Sequence, residues 1–393
     1  MTETVLISGA SIAGLTLAHW LVRHGFRPTV VERAPRLRSG GNGVDIRDDA
    51  VAVAERTGIM SRARELAADV HGMKFVDAAD RAVARIDTRG AGSVEIMRGD
   101  LVALLSEATD VEILFGDSIR ELEQDADGVS VTFEHAPARR FDLVVGADGM
   151  HSTVRRLAFG PEERFVRFKD HYFAFADADA SLGEDRWVTM FNTPGKMTGI
   201  YRSGKHPQAK AYFMFRSPPL DYDHRDAAEH KRLVAEAFAG HPWRPTAGLL
   251  AAALEDPEFY FDALAQVHMD SWANGRVALV GDAAWCASPA SGAGAELALV
   301  GAYRLAGELA AAGGDHRVAF ARFDAVHRPL VELKQRIGAN VRLMLPRTEN
   351  GRRVRDVLAR SPLMRAAGAV ERRLQGRNAR PLPEYRRVGR PMV

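Results

Sequence analysis

Cysteine is nearly absent from this chain: one residue, Cys286, in 393. No internal disulfide can form, and nothing calls for an oxidising compartment. Long apolar runs are missing too. No stretch of roughly 18 apolar residues is free of charge, which excludes a hydrophobic membrane span. The opening Met1-Thr2-Glu3-Thr4 lacks the basic start of a secretory signal, so the expected location is the cytoplasm. Repeats and low-complexity tracts do not occur. The histidines show neither H-E-x-x-H nor any paired spacing, so no metal is expected. No G-x-S-x-G elbow is present, which argues against a serine hydrolase.

What is there is the composition of a folded protein: 46% hydrophobic and 26% charged. At about 150 residues per domain the length fits two or three domains, and such a chain buries most of its apolar surface without staples. The net charge of +2 hides an asymmetry. Residues 351–393 carry 12 Arg against three acids, a net +9, which leaves −7 on the first 350 residues. Aromatic residues do not interleave with these arginines as a nucleic-acid platform requires. The expectation is therefore a solvated helical face ending in a loose terminus, with no nucleic-acid or membrane partner.

The first 35 residues read as strand, turn, helix, strand. Thr4–Ser8 is an apolar run, 9–14 a turn, Ile12–Val22 an apolar-periodic helix stopped by Gly25, and Pro28–Glu32 a β-branched strand. Further on, 71–86 reads as two short strands about Ala79-Asp80, 98–107 as a helix, 111–134 as a meander, and 141–147 as a buried strand. From 171 to 215 the pattern is strands rich in aromatic residues. Helices are expected over 227–239, 295–312 and 319–342. An α/β unit interrupted by a mostly antiparallel sheet is the expected architecture.

The turn Gly9-Ala10-Ser11-Ile12-Ala13-Gly14 is a G-x-S-x-x-G variant of the dinucleotide fingerprint. In that fingerprint the glycines permit the tight turn, the approach of a pyrophosphate and close helix–strand packing. The helix N-terminus supplies N–H donors and the positive end of its dipole. Ser11 stands where the second glycine usually is; it is small, and its hydroxyl can donate to a phosphate oxygen. Glu32 ends the next strand, 23 residues after Gly9, where a carboxylate accepts from a ribose. Two more strand ends carry an Asp: Asp148 in D-G-M-H-S-T-V-R (148–155) and Asp282 in G-D-A-A (281–284), the latter followed by Pro289, Gly292 and Gly294. Ligands of open α/β sheets bind at such carboxyl ends. Each Asp alone reads equally well as a helix cap.

In this order the three motifs resemble those of the class A flavin monooxygenases, the para-hydroxybenzoate hydroxylase-like family. The shorter members, tetracycline-inactivating and polyketide-tailoring monooxygenases, are of about this length. The resemblance implies a Rossmann-like FAD-binding domain (1–70, 98–165 and 270–315), an inserted mostly antiparallel substrate domain (71–97 and 166–269), and C-terminal helices with the basic tail (316–393). It implies that Gly9, Ser11, Ile12, Ala13, Gly14 and Glu32 hold the ADP half of FAD. It further implies that Asp148, with Gly149, Ser152 and Arg155, lies by the cofactor and the NAD(P)H path, and that Asp282 reaches the ribityl or pyrophosphate. Pro289, Gly292, Ala293, Gly294 and Ala295 would face the isoalloxazine, with Arg98 on the cofactor and Arg33 and Arg47 near it. The implied reaction is oxygenation of an aromatic or polyketide-like small molecule by NADH or NADPH and dioxygen, through a C4a-hydroperoxyflavin. No catalytic acid or base is nominated, and the expected state is a monomer or homodimer.

Phe173, Phe175, Met190, Phe191, Tyr212 and Met214 are candidates for an apolar substrate wall, and Cys286 for a small buried packing residue. Three positions depart from the family pattern: Trp285 where His follows G-D-A-A, and Glu296 and Gly301 where the next helix usually carries Asn and Asp. Glu296 is expected to face solvent or cap backbone amides. A flavin oxidase, dehydrogenase or reductase inserting no oxygen, and a non-catalytic binding protein, stay open as alternatives. Halogenase relatives are disfavoured by the absence of W-x-W-x-I-P.

Overall fold

The computed structural model describes residues 3–87, 93–336, 344–360 and 382–385. Most of the Arg-rich tail, with its expected solvated face and loose terminus, lies outside the described residues.

One sheet runs in the order β17-β18-β11-β1-β2-β7, from β1 (Thr4–Ser8), β2 (Arg27–Glu32), β7 (Glu112–Phe115), β11 (Leu143–Gly146), β17 (Ala273–Asn274) and β18 (Val277–Leu279). All its pairings are parallel except the β17–β18 edge. The central strands are apolar on both faces, with Val5, Leu6, Ile7, Val144 and Val145 fully buried, as a parallel sheet covered on both sides requires. Helix α1 (Ile12–Arg23) makes the β1-to-β2 crossover and packs on α9 (Gly294–Ala311), with the Trp20 and Tyr303 rings 4.7 Å apart.

The second sheet runs β16-β12-β15-β14-β13-β4-β5. Its strands are β4 (Gly72–Val76), β5 (Ala82–Asp87), β12 (Val166–Ala178), β13 (Trp187–Thr193), β14 (Lys196–Tyr201), β15 (Ala209–Arg216) and β16 (Tyr260–Val267). Only β4–β13 is parallel. Strand periodicity sends Tyr172, Ala174, Phe213 and Phe215 to one face, where they form a core with α6 (Ala227–Phe238) and the helix after it, α7 (Pro245–Glu255). The opposite face looks toward the carboxyl ends of the parallel strands.

A ribbon of β3 (Gly43–Ile46) and β6 (Val94–Met97) stands between the two sheets, and β8 (Ile119–Gln124), β9 (Val129–Phe133) and β10 (Arg139–Phe141) form a small antiparallel sheet. Among the described residues the remaining α-helices are α2 (Asp49–Thr57), α3 (Met60–Glu65), α4 (Arg98–Glu107), α5 (Thr153–Phe159), α8 (Asp282–Trp285), α10 (His316–Gln335) and α11 (Glu349–Arg360).

Two expectations need correction. The meander over 111–134 loses its first strand, because β7 pairs in parallel with β2 and covers that strand's otherwise open edge. The arginines of 349–360 are not all solvated. Arg355 is 5% exposed, its guanidinium lies 4.0 Å from the centre of the Phe75 ring, and Nη1 donates to Asn192 Oδ1 at 2.9 Å. Together with Leu345, which packs on Phe75, Met190 and Met197, α11 closes the β13–β4–β5 end of the open sheet face.

Candidate flavin site

The parallel register brings the three motifs together. Ser8 is the partner of Gly146, and Gly146 of Leu279, so the turns after β1, β11 and β18 leave the sheet side by side. Gly9 has φ of +107°, and a Cβ there would lie 2.6 Å from the Ala147 carbonyl oxygen. A Cβ on Gly14 would lie 1.9 Å from the Gly9 carbonyl oxygen, and one on Gly281 2.8 Å from Ala13 Cβ. Gly9 and Gly281 are therefore the price of closeness between motifs, and Gly14 of the tight turn itself.

The N-cap residue of α1 does not cap it. Ser11 sits at the N-cap position but makes no capping bond; its hydroxyl instead accepts from Arg98 Nη2 at 2.9 Å. The first turn of α1 thus keeps N–H groups for an anion. The Glu32 carboxylate accepts from Ala10 N and Ala34 N, both at 2.8 Å, which fixes it beside the turn and leaves further lone pairs. Arg33 is exposed next to it. Asp282 lies deep in the fold, yet its side chain reaches solvent, so it lines an interior cleft. Burial raises its pKa and the Arg98 guanidinium pulls it back. Across the cleft Pro289, Gly292 and Gly294 are exposed while Ala293 and Ala295 are buried. Arg47 lies against this turn, donating from Nη2 to Ser291 O at 3.4 Å. These residues fit a dinucleotide: the anion end has an uncapped helix with Arg98 on Ser11, and the ribose end a fixed carboxylate.

Asp148 behaves differently from the other two acidic positions. Its carboxylate accepts from Ser152 Oγ at 2.5 Å and Val154 N at 3.1 Å, while Ser152 Oγ accepts from Arg155 N as the α5 cap. Arg155 is fully buried and donates to Ala283 O at 2.9 Å. The D-G-x-x-S-x-x-R side chains therefore build their own turn and tie it to G-D-A-A.

His151 of the same turn donates from Nδ1 to Glu162 at 2.8 Å and from Nε2 to Asp262 at 3.1 Å. His224 stacks on it at 3.7 Å. His151, His224 and Asp262 have the spacing of a metal group, but both ring nitrogens of His151 are already taken by carboxylates, and the cluster is a charge-paired junction between the two sheets. Burial alone would lower the His151 pKa; the bonds to Asp262 and Glu162 win and raise it to about 9. Residues this far apart in the chain leave no motif, and sequence reasoning missed them.

The open sheet face adjoins the Pro289–Ala295 turn directly: Ala290 packs with Phe173, Phe175, Met214, Tyr260 and Leu264. Register puts Tyr212 beside Phe175 on that face, with ring centres 5.0 Å apart. Gly199, between Tyr212 and Met190 in register, keeps the floor low. Met190 shares the face but is buried under Leu345. Phe191 is a correction: one residue along the strand, it turns to the other side and packs on His241 and Trp243. Glu95 of β6 was also missed. Tyr201 donates to it at 3.0 Å, and burial, partly offset by that bond, pushes its pKa up to about 7. Cys286 is buried, and burial pushes its thiol well up, as a packing residue should be.

The departures from the family pattern explain one another. A Cβ on Gly301 would lie 2.6 Å from Trp285 Cζ2, so the indole of Trp285, buried against Trp272, Phe323 and His327, fits only because position 301 is glycine. Glu296 does not face solvent as expected: it is 1% exposed and accepts from Lys334 Nζ at 2.7 Å.

A parallel sheet with a dinucleotide turn, joined at its carboxyl ends to an antiparallel sheet, defines a two-sheet flavoprotein. The FAD binding domain family matches residues 2–319. A flavin-dependent monooxygenase of Legionella longbeachae serogroup 1 (strain NSW150) is 37% identical over 340 residues, 85% of this chain and 87% of its own. An uncharacterised protein of Mycobacterium tuberculosis (strain CDC 1551 / Oshkosh) is 44% identical over 343 residues, 85% of this chain and 92% of its own. The crystal structure of tetracycline destructase Tet(55) superposes with a TM-score of 0.82 at 35% identity, covering 98% of this chain and 99% of that one. The chain belongs to this family of FAD-dependent monooxygenases.

Two outcomes are expected. In thermal unfolding, G301D overpacks the Trp285 site and W285H leaves a void, each costing about 1–4 kcal/mol; the W285H/G301D double variant loses less than the sum, and strict additivity contradicts the coupling. For His151, whose folded pKa stands above its ordinary 6.5 at about 9, the stabilisation is complete below pH 6.5 and fades as pH rises through 9. The stability gap between wild type and H151Q therefore narrows over that range in denaturant titrations; a constant gap contradicts it.

Proposed function

We propose that this monooxygenase draws electrons from NADH or NADPH and oxygenates an aromatic or polyketide-like small molecule lying on the open face of the antiparallel sheet. The observation that carries this reading is the packing of Ala290, from the turn opposite Arg47, into the same cluster as Phe173, Phe175 and Met214. A planar apolar substrate on that wall lies next to the Pro289–Ala295 turn. The likeness to Tet(55) supports a polycyclic substrate of this kind.

In this reading Gly9, Ser11, Ile12, Ala13 and Gly14 present the α1 N-terminus to the FAD pyrophosphate, and Arg98 adds charge through Ser11. Glu32 accepts from the adenosine ribose, with Arg33 outside it. Asp282 takes the ribityl or pyrophosphate end, and Arg47 with Pro289, Gly292, Ala293, Gly294 and Ala295 borders the flavin ring. Asp148 contributes by shaping the turn that carries its neighbours. When bound, FAD supplies two-electron transfer and the activation of dioxygen. The protein's part is positional: Phe173, Phe175, Tyr212, Met214 and Tyr260 exclude water and orient the substrate, while Leu345 over Met190 closes the far end. Glu95, titrating near neutral pH, is the group beside Tyr201 that can exchange a proton with a substrate hydroxyl.

The test is turnover of purified protein with NADH or NADPH and a panel of phenolic and polyketide-like compounds under ¹⁸O-labelled dioxygen. One labelled oxygen in the product is expected. Product formed without label contradicts oxygenation and favours an oxidase or dehydrogenase.

A further inference from the structure

Glu296 opens α9 at the point where the helix N-terminus meets the Pro289–Ala295 turn. Burying a carboxylate alone is costly, and here two cations meet it. Its Oε2 accepts from Lys334 Nζ at 2.7 Å and from Arg47 Nε at 3.3 Å. Lys334, 3% exposed, also donates to Asp48 Oδ2 at 3.3 Å. Arg47 is 30% exposed. With Nε on Glu296 and Nη2 on Ser291 O, its guanidinium is fixed, and both terminal nitrogens would stand 3.9 Å from a Cβ on Gly292. Asp48, directly after Arg47 and at the start of α2, holds a φ of +51°, a conformation that non-glycine residues seldom adopt. Asp45 Oδ2 also stands 4.0 Å from Arg47 Nη1, so two cations meet three carboxylates beside the positive end of a long helix, with Glu296 the most deeply buried of the three.

We propose that Glu296 is a positioning residue for the flavin: it holds Arg47 against the Ser291-Gly292 turn and offsets the positive charge gathered there. The proposal rests on the reading of that turn and Arg47 as flavin contacts. Without the carboxylate, Arg47 keeps only the 3.4 Å bond to Ser291 O and the 4.0 Å contact with Asp45, which hold it less firmly, and the Lys334 charge adds to the helix dipole at the place where a reduced, anionic ring is stabilised by positive potential.

Two full-length variants separate position from charge: E296Q, and E296Q/K334M, which removes one charge of each sign and leaves no buried cation uncompensated if the single variant folds poorly. FAD affinity is read by quenching of flavin fluorescence, and the midpoint potential of bound flavin by spectroelectrochemical titration. E296Q is expected to raise the potential. Both variants are expected to weaken FAD binding about tenfold, the effect of losing a hydrogen bond to a charged group, while the double variant returns the potential toward wild type. Unchanged affinity and potential in both, with a wild-type chain that binds FAD, overturns the proposal. A wild-type chain that takes up no FAD overturns the site reading, and this proposal with it.

Discussion

The structure depends on the register of three parallel strands. Because Ser8, Gly146 and Leu279 align across β1, β11 and β18, the turns following them emerge at one edge, although some 270 residues separate the first from the last. The turns are then trimmed to touch: glycines at 9 and 281 stand where a Cβ would collide with the adjoining motif, and Gly14 where it would collide with Gly9 of its own turn. A shift of one residue in any of these strands would reverse the facing of its side chains and pull the cleft apart. Arg155 reinforces the arrangement from beneath, its buried guanidinium reaching from the second turn to the Ala283 carbonyl of the third. Losing a hydrogen bond from a charged group of this sort costs about 1.5–3 kcal/mol.

The second principle is compensation at the end of the cleft where the flavin ring belongs. Trp285 and Gly301 exchange volume, and Glu296, Lys334, Arg47 and Asp48 exchange charge. Read one at a time, Trp285, Glu296 and Gly301 look like damage to a flavin site. Packed together they amount to a second solution to the same problem, reached by filling space with an indole and by neutralising a carboxylate internally. The antiparallel sheet completes the chamber by simple alternation, one face going to the core beneath α6 and α7 and the other lining the space next to Ala290.

Much of this was legible in the sequence, for identifiable reasons. The βαβ unit, the three motifs and the aromatic strands announce themselves through local period and through residues whose chemistry has few other uses. What escaped was non-local. The parallel seat of β7 depends on the free edge of β2, Phe191 depends on the pairing frame of β13, and the inward turn of Glu296 depends on Lys334, 38 residues away. The same holds for His151 between Glu162 and Asp262, and for Glu95 under Tyr201. Helix α7 is a different case: Pro245 at its start and an alanine-rich stretch behind it were local signals, and no helix was expected there.

The central claim is that one FAD is gripped at once by segments far apart in the chain. Amide hydrogen exchange of the protein with and without added FAD measures it most directly. Simultaneous protection of 9–14, 45–47 and 281–295 on adding FAD is the predicted result. Protection confined to one of these segments, or spread over none of them, would contradict the account.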